Sequence, residues 1–341
     1  MQAEPAIAAI FRSVASCVVR VLACAFLLTA FPRGAGSRTE RINLFPKLQA
    51  GQTIAYQIRY RTDRDIKTQS TVAALLVPGV EQIDVRGLLR MEIVGVHSEG
   101  GKTAIHAQAQ FETLNSNADL KTPEAEPPLD NLRRIDPQPK IMEFTIAADG
   151  QVSDVKGLDT LLPEQQQAWG EWVSLFAMAA AFPEKGVKRG EKWESDEAEQ
   201  SPAPLAGLVW LKRSSSVRDE PCRTALSAIE GGANGTSQAP ETCAVILTTA
   251  TLKQKSSKKN ATPEEFKLHE LQTTGTARGT NQVIAYISLK TGLVVRATEE
   301  ASQTMDVIVA KIDGSNRVHY SVDAKSNAEV VLVADTPLKN H

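Results

Sequence analysis

The sequence predicts a mainly β protein, in which antiparallel sheets come from two related meander units and one connecting amphipathic helix. Three observations carry this prediction. Apolar and polar residues alternate through most of the chain, one segment has helical spacing, and one pattern of glycine and aromatic residues occurs twice. Alternation with a period of two indicates strands that have one buried face and one wet face.

The first strand carries the clearest alternation. In the stretch TIAYQIRYR, Ile54, Tyr56, Ile58 and Tyr60 fall on one face, and polar or small residues fall on the other. Further strands of this half are predicted at 71–77, 82–97, 103–114 and 140–147, with a hairpin turn at 98–101.

One segment changes to helical spacing. Pro163 suits a first helical turn, and Trp169, Trp172 and Phe176 follow on one stripe of a helix predicted over 163–182, before Pro183. The simplest interpretation is a helix packed on a sheet. A membrane-surface or partner helix is the alternative, although the polar face lacks the Lys and Arg residues typical of one.

Strands resume after the helix. They are predicted at 207–217, 244–252, 272–280, 282–289, 293–298, 304–311, 317–322 and 329–333, with a tight turn at Asp313-Gly314. The basic stretch KQKSSKKN, residues 253–260, is interpreted as a solvated hairpin tip. Its alternative role is contact with an anion or with membrane headgroups.

The repeated pattern divides the chain into units. Each copy has Phe-Pro, a basic stretch and a glycine before a strand, then a later glycine between two strands: Gly51 and Gly150 are 99 residues apart, and Gly190 and Gly292 are 102 apart. We therefore predict diverged copies over 42–157 and 183–300. Residues 158–182 would connect them, and strands in 301–341 would complete the second sheet.

The N-terminus predicts export. Arg12 and Arg20 precede an apolar run at 21–31, so residues 1–36 are interpreted as a signal peptide. An uncleaved anchor, or lipidation at Cys17 or Cys24, is the alternative. The expected location is the periplasm or the medium, with membrane contact only through an uncleaved signal or a lipid anchor.

Removal of residues 1–36 would leave two cysteines, Cys222 and Cys243. In an exported chain such a pair predicts one disulfide, and two free buried thiols are the alternative. No histidine lies near either cysteine in the sequence, so neither a metal site nor a cofactor is predicted.

Two short motifs suggest a relationship. Gly190-Glu191-Lys192-Trp193 at a strand start, and Thr291-Gly292-Leu293-Val294 at a late hairpin, resemble exported bacterial β-rich domains of unknown function that are often found on lipoproteins. The resemblance covers about residues 42–310, and the first half departs from it by having Gly51 and Tyr56 without the tryptophan. An antiparallel sheet curved around a helix is also similar, in architecture alone, to periplasmic lipoprotein carriers.

Composition and motifs argue against several functions. Basic and acidic residues nearly balance, 38 against 40, and only 5% of residues are aromatic, so no nucleic-acid partner is predicted. The sequence contains no nucleophile elbow, phosphate loop or metal motif, and no catalytic residue is predicted. The two histidines His97 and His106 would lie on neighbouring strands, on either side of the turn predicted at 98–101.

The resulting hypothesis is a non-enzymatic envelope protein that binds a lipophilic ligand or a partner protein between sheet and helix. Three residues on each wall would line the site: Trp169, Trp172 and Phe176 of the helix, and Ile54, Tyr56 and Ile58 of the first strand. The alternative for these residues is a dry core. The alternatives for the protein are a secreted hydrolase whose site is assembled from distant strands, and a purely structural module.

Overall fold

The structure is a computed structural model that describes residues 41–70, 79–99, 102–121, 141–148, 150–178, 182–183, 185–198, 204–222 and 241–336. Arg41–His341 forms one compact unit. The predicted signal peptide, the predicted strand at 71–77 and Gly100-Gly101 lie outside the described residues. Within the described ranges, no helix is both long enough and apolar enough to cross a membrane.

One antiparallel sheet dominates the described residues. Its eleven strands are arranged in the order β5-β4-β3-β2-β1-β11-β10-β9-β8-β7-β6. The strands are β1 Thr53–Ser70, β2 Gly79–Glu99, β3 Lys102–Lys121, β4 Ile141–Ile146, β5 Val152–Lys156, β6 Lys192–Ala198, β7 Leu208–Cys222, β8 Glu241–Gln254, β9 Leu271–Ser288, β10 Val294–Lys311 and β11 Val318–Thr336. The prediction of a mainly β, antiparallel protein is confirmed.

The two predicted meanders form one sheet and do not stack as two sheets. β11 lies between them, so that its Ala328 pairs with Tyr60 of β1 on one side and with Glu299 of β10 on the other. A strand in this position satisfies backbone groups of both halves, which would otherwise present open edges. The duplication and the five predicted segments of the chain stay predictions.

Glycines start corresponding strands in the two halves. Gly51 and Gly190 stand two residues before β1 and β6, and Gly150 and Gly292 stand two residues before β5 and β10. All four have positive φ, between 72° and 81°. In each half, four strands lie between the two glycines and a fifth begins after the second glycine. The positive φ of these positions is one that other residues adopt only with strain.

Three strands each join two predicted strands into one. β9, β10 and β11 each run without a break through the polar stretch at which the sequence predicts two strands. Backbone pairing on both sides continues through these stretches, as in the register of Ala301 with Asn281 and with Ser326. Backbone hydrogen bonds to both neighbouring strands therefore maintain one continuous strand where the side-chain pattern does not predict it.

Helix α1, Pro163–Ala177, crosses one face of the sheet and packs on β1, β2, β3, β5, β10 and β11. Pro163 occupies its first turn as predicted, and the backbone N–H of Leu162 donates to the side chain of Gln165 at 3.0 Å. The helix ends at Ala177, before the predicted end at 182. A short second helix, α2, Glu264–Leu268, was not predicted.

The predicted disulfide is present. It joins Cys222, the last residue of β7, to Cys243 near the start of β8. Both cysteines belong to the main apolar core, which fills the space between α1 and the sheet. The bond therefore links β7 to β8 within this core.

Candidate functional site

The six residues predicted to line a ligand site come together in the structure. Ile54, Tyr56 and Ile58 of β1 face α1, and Trp169, Trp172 and Phe176 of α1 face the sheet. All six side chains are buried, the most exposed being Phe176 at 6%. The period of the strand and the period of the helix each place three residues on one face, and tertiary packing brings the two faces together.

Aromatic contacts join the two walls. The rings of Tyr56 and Phe176 have centroids 4.7 Å apart. Trp169 makes an edge contact with Phe144 of β4 at 5.4 Å, and Trp172 makes one with Phe111 of β3 at 5.9 Å. Such pairs add stabilisation beyond their buried area. Phe111 and Phe144 were not predicted as site residues, although both occupy apolar positions of predicted strands.

Two side-chain hydrogen bonds fix α1 on β1. The indole Nε1–H of Trp172 donates to the carbonyl oxygen of Arg59 at 3.1 Å, and Nε2 of Gln167 donates to the hydroxyl of Tyr60 at 2.6 Å. Burial, followed by the charge of Glu171, raises the pKa of Tyr60 well above its usual value. Tyr60 therefore keeps its hydroxyl proton to a higher pH than an exposed tyrosine does.

The space between helix and sheet is nearly filled. A void of about 20 Å³ lies beside Tyr56 and Phe176, bounded also by Leu48, Met91 and Ile105. This volume holds about one water molecule. In the conformation described, the six predicted residues form a packed core, and a ligand there would have to displace α1.

The apolar face of the sheet continues beyond α1. Ile66 lies on the same face of β1 as Ile58, because side chains alternate and the two positions differ by an even number. Ile66, Val322, Met305 and Ala277 pair in register across four strands and are each only partly buried. We call these four residues the inner row. Ile66 could have been predicted by extending the alternation of β1 by a few residues. The other three members of the inner row could not, because only the register of the paired strands places them beside Ile66.

A polar belt separates the inner row from the packed core. Its members are Thr62, Arg64, Glu81, Asn281 and Glu299. Arg64 and Glu81 form an ion pair at 2.9 Å with both side chains 28% exposed. Asn281 donates from its amide nitrogen to Glu299, which is buried. This hydrogen bond offsets part of the cost of burying the two polar groups, although Oδ1 of Asn281 is buried without a hydrogen-bond partner among the described residues.

A larger groove lies on the opposite, outer face of the sheet. Its volume is about 830 Å³. Two register rows of outward-facing residues line it: Asp63, Lys325, Ser302 and Thr280 in one row, and Asp65, Asp323, Thr304 and Arg278 in the other. Hydroxyls and charges of both signs favour polar solutes. None of the six residues predicted to bind a lipophilic ligand lines this groove.

The histidines form no arrangement of a catalytic type in the described part of the chain. His106 lies 3.4 Å from the hydroxyl of Thr145 through Nδ1, and His97 is exposed. His319 contacts Asp306 at 3.2 Å on an exposed part of the sheet. Among the described residues, no group of three His, Cys, Asp or Glu side chains could hold a metal ion.

Comparisons with known proteins identify no family. No protein-family model and no curated protein matches the chain. A solved structure from Parabacteroides distasonis ATCC 8503, provisionally described as a lipoprotein, is similar at a TM-score of 0.29 and 8% identity, covering 87% of this chain and 100% of its own.

An outer membrane channel from Pseudomonas putida F1 is similar at a TM-score of 0.18 and 8% identity, covering 84% of this chain and 97% of its own. OccK7 from Pseudomonas aeruginosa follows at 0.19 and 10% identity, covering 85% and 100%. At these scores the comparisons supply no argument about function, which rests on the site itself.

Proposed function

We propose that the protein is an exported, non-enzymatic envelope protein that binds a lipophilic ligand on the inner face of its sheet. The observation that carries the proposal is the inner row, which is in line with the packed core beneath α1 and stays partly exposed even though Met305 and Ala277 also pack against a second, small apolar cluster. An apolar face left in water is costly, and a ligand would cover it. The disulfide supports export, because such bonds persist in oxidising compartments.

The polar belt narrows the chemistry of the ligand. An apolar chain would lie along the inner row, and a polar end would meet Arg64, Glu81 and Gln303, which faces inward beside them. A wholly apolar molecule would leave these groups covered by hydrocarbon, which is unfavourable for charged side chains. The expected ligand is therefore amphipathic, such as a lipid or an acylated peptide.

The six predicted residues would then be the deep end of the site. The void beside Tyr56 and Phe176 marks the place where an acyl chain could extend if α1 moved outward. Such a movement would break the hydrogen bonds of Trp172 and Gln167 to β1. Binding to the inner row needs no such movement.

Native mass spectrometry tests the proposal. The full chain is expected to carry lipid when purified, or to take up a fluorescent fatty acid after delipidation. Met305→Glu places a charge in the inner row and should weaken uptake at least tenfold. Ser321→Glu is the matched control, because Ser321 lies on the outer face and pairs with Lys67. A lipid-free mass together with no uptake by the wild type would overturn the proposal.

A further inference from the structure

The end of the sheet remote from α1 exposes two large aliphatic side chains. Leu268, the last residue of α2, is 83% exposed, and Ile312, in the turn between β10 and β11, is 67% exposed. They belong to adjoining segments, since the backbone N–H of Ile312 donates to the carbonyl oxygen of Glu270 at 3.0 Å. We call residues 255–270 and 311–317 the tip.

The tip is an ordered platform. Thr273 of β9 exchanges hydrogen bonds with residues 261 and 262 of the preceding loop, and Gly275 N–H donates to the carbonyl oxygen of Lys258 at 3.1 Å. Beneath it, Leu205, Leu252 and Val307 form a small core. Leu268 and Ile312 are therefore held in solvent on a fixed base, although burial would have been favourable for both.

Basic residues are frequent in the same two segments as the exposed aliphatic side chains. Lys255, Lys258 and Lys259 lie in the loop before α2, and Lys267 and Lys311 directly adjoin Leu268 and Ile312. The stretch 253–260 contains four lysines and no acidic residue.

The acidic residues of the tip are Glu264, Glu265, Glu270 and Asp313. Glu264 pairs with Lys267 at 2.6 Å, and Asp313 accepts a hydrogen bond from the backbone of Ser315 within its own turn. Two of the four carboxylates thus have cationic or backbone partners inside the tip. Lys255 pairs with Asp196 of β6 at 3.6 Å, so Lys258 and Lys259 are the lysines of this loop on which the argument depends.

We propose that the tip docks on the surface of a lipid bilayer that contains anionic lipids. Leu268 and Ile312 enter the boundary between headgroups and acyl chains, and the lysines contact headgroup phosphates. Apolar insertion combined with basic charge is the general pattern of peripheral membrane binding. The proposal does not rest on the lipophilic ligand, because no residue of the inner row belongs to the tip, although Met305 and Ala277 pack against the small core beneath it.

Flotation of the full chain with vesicles measures the docking. Binding to vesicles of phosphatidylcholine with phosphatidylglycerol should exceed binding to phosphatidylcholine alone. The double variant Leu268→Ser and Ile312→Ser should weaken binding by about tenfold or more, since burial of one such side chain is worth more than 1.4 kcal/mol. Ile141→Ser is the matched control, because Ile141 is 53% exposed on β4, outside the tip.

Charge reversal tests the basic component. Lys258→Glu with Lys259→Glu should weaken binding to the anionic vesicles roughly fivefold or more for each residue, whereas Lys185→Glu with Lys188→Glu, two exposed lysines outside the tip, should not. Equal effects of the two charge reversals would overturn the proposal.

A local readout separates the tip from any contribution of the apolar N-terminal segment. Leu268→Trp should gain fluorescence that brominated lipids quench, while Ile141→Trp should not. If both variants are quenched equally, or neither is, the tip does not enter the bilayer and the proposal fails.

Discussion

The hydrogen bond between Gln167 and Tyr60 offers a sharp test of how α1 is held. Tyr60→Phe removes the hydroxyl that accepts from Gln167 at 2.6 Å and leaves the buried ring in place. The side chain of Gln167 is only partly buried, so water can replace the lost acceptor. The expected loss is that of one neutral hydrogen bond, about 1 kcal/mol in the free energy of unfolding.

The assay is a double-mutant cycle with Gln167→Ala, in which unfolding by denaturant is followed by far-UV circular dichroism. The structure predicts a coupling energy of about 1 kcal/mol between the two positions, together with a fall in melting temperature of roughly 2 °C for Tyr60→Phe. A coupling below about 0.3 kcal/mol, the level at which independent sites add, would refute the contact and with it the proposed anchoring of α1.

Tyr60 also affects how the stability of the protein depends on pH. Burial raises the pKa of both Tyr60 and Tyr320, so each stays protonated in the folded state at a pH where it ionises in the unfolded chain. Their contribution to stability is fully present below about pH 10 and is lost as the pH rises further. In Tyr60→Phe the fall in stability above pH 10 should be less steep, by up to about 1.4 kcal/mol per pH unit. An unchanged slope would contradict the burial of this hydroxyl.

Two further predictions concern covalent and backbone constraints. Replacing Cys222 and Cys243 by serine should lower the free energy of unfolding by about 3 kcal/mol, because the bond closes a loop with a sequence separation of 21, and thermal unfolding with and without reductant checks this. Gly292→Ala should cost more than Gly190→Ala, since both glycines have positive φ but an added Cβ would lie 2.4 Å from the carbonyl oxygen of Phe45 at the first and would meet nothing within 4 Å at the second. Gly190→Ala is expected to cost about 1–2 kcal/mol, and equal losses would show that the contact with Phe45 relaxes freely.

The extent of each strand was the weakest part of the sequence prediction. In β9 the alternation fails around Asn281, and the sequence predicts two short strands there. The structure keeps one strand because Asn281 pairs in the ladder with Ala250 on one side and with Ala301 on the other, and its amide donates to Glu299. The amide nitrogen of this polar residue finds its acceptor 18 positions away in sequence, which no local pattern reveals.

The candidate site, too, was predicted only in part from the sequence. Helical and strand periodicity predicted Trp172 and Ile58 as facing residues, because each pattern marks the apolar face of its own element. The packed state of the space between them could not be predicted, since it depends on Phe111 and Phe144 from other strands. The inner row was missed because three of its four residues become neighbours only through register.

The sequence by itself determined the β character, the position where α1 begins, the turn glycines and the paired cysteines. Each of these follows from a local preference of the backbone or from the tendency of two cysteines to pair. Only the tertiary structure decided that β11 would join β1 to β10, that one sheet would result, and that Leu268 and Ile312 would remain in solvent. The physical reason is that alternation specifies which face of a strand is buried, whereas the partner of a strand is chosen by backbone hydrogen bonds between residues far apart in the chain.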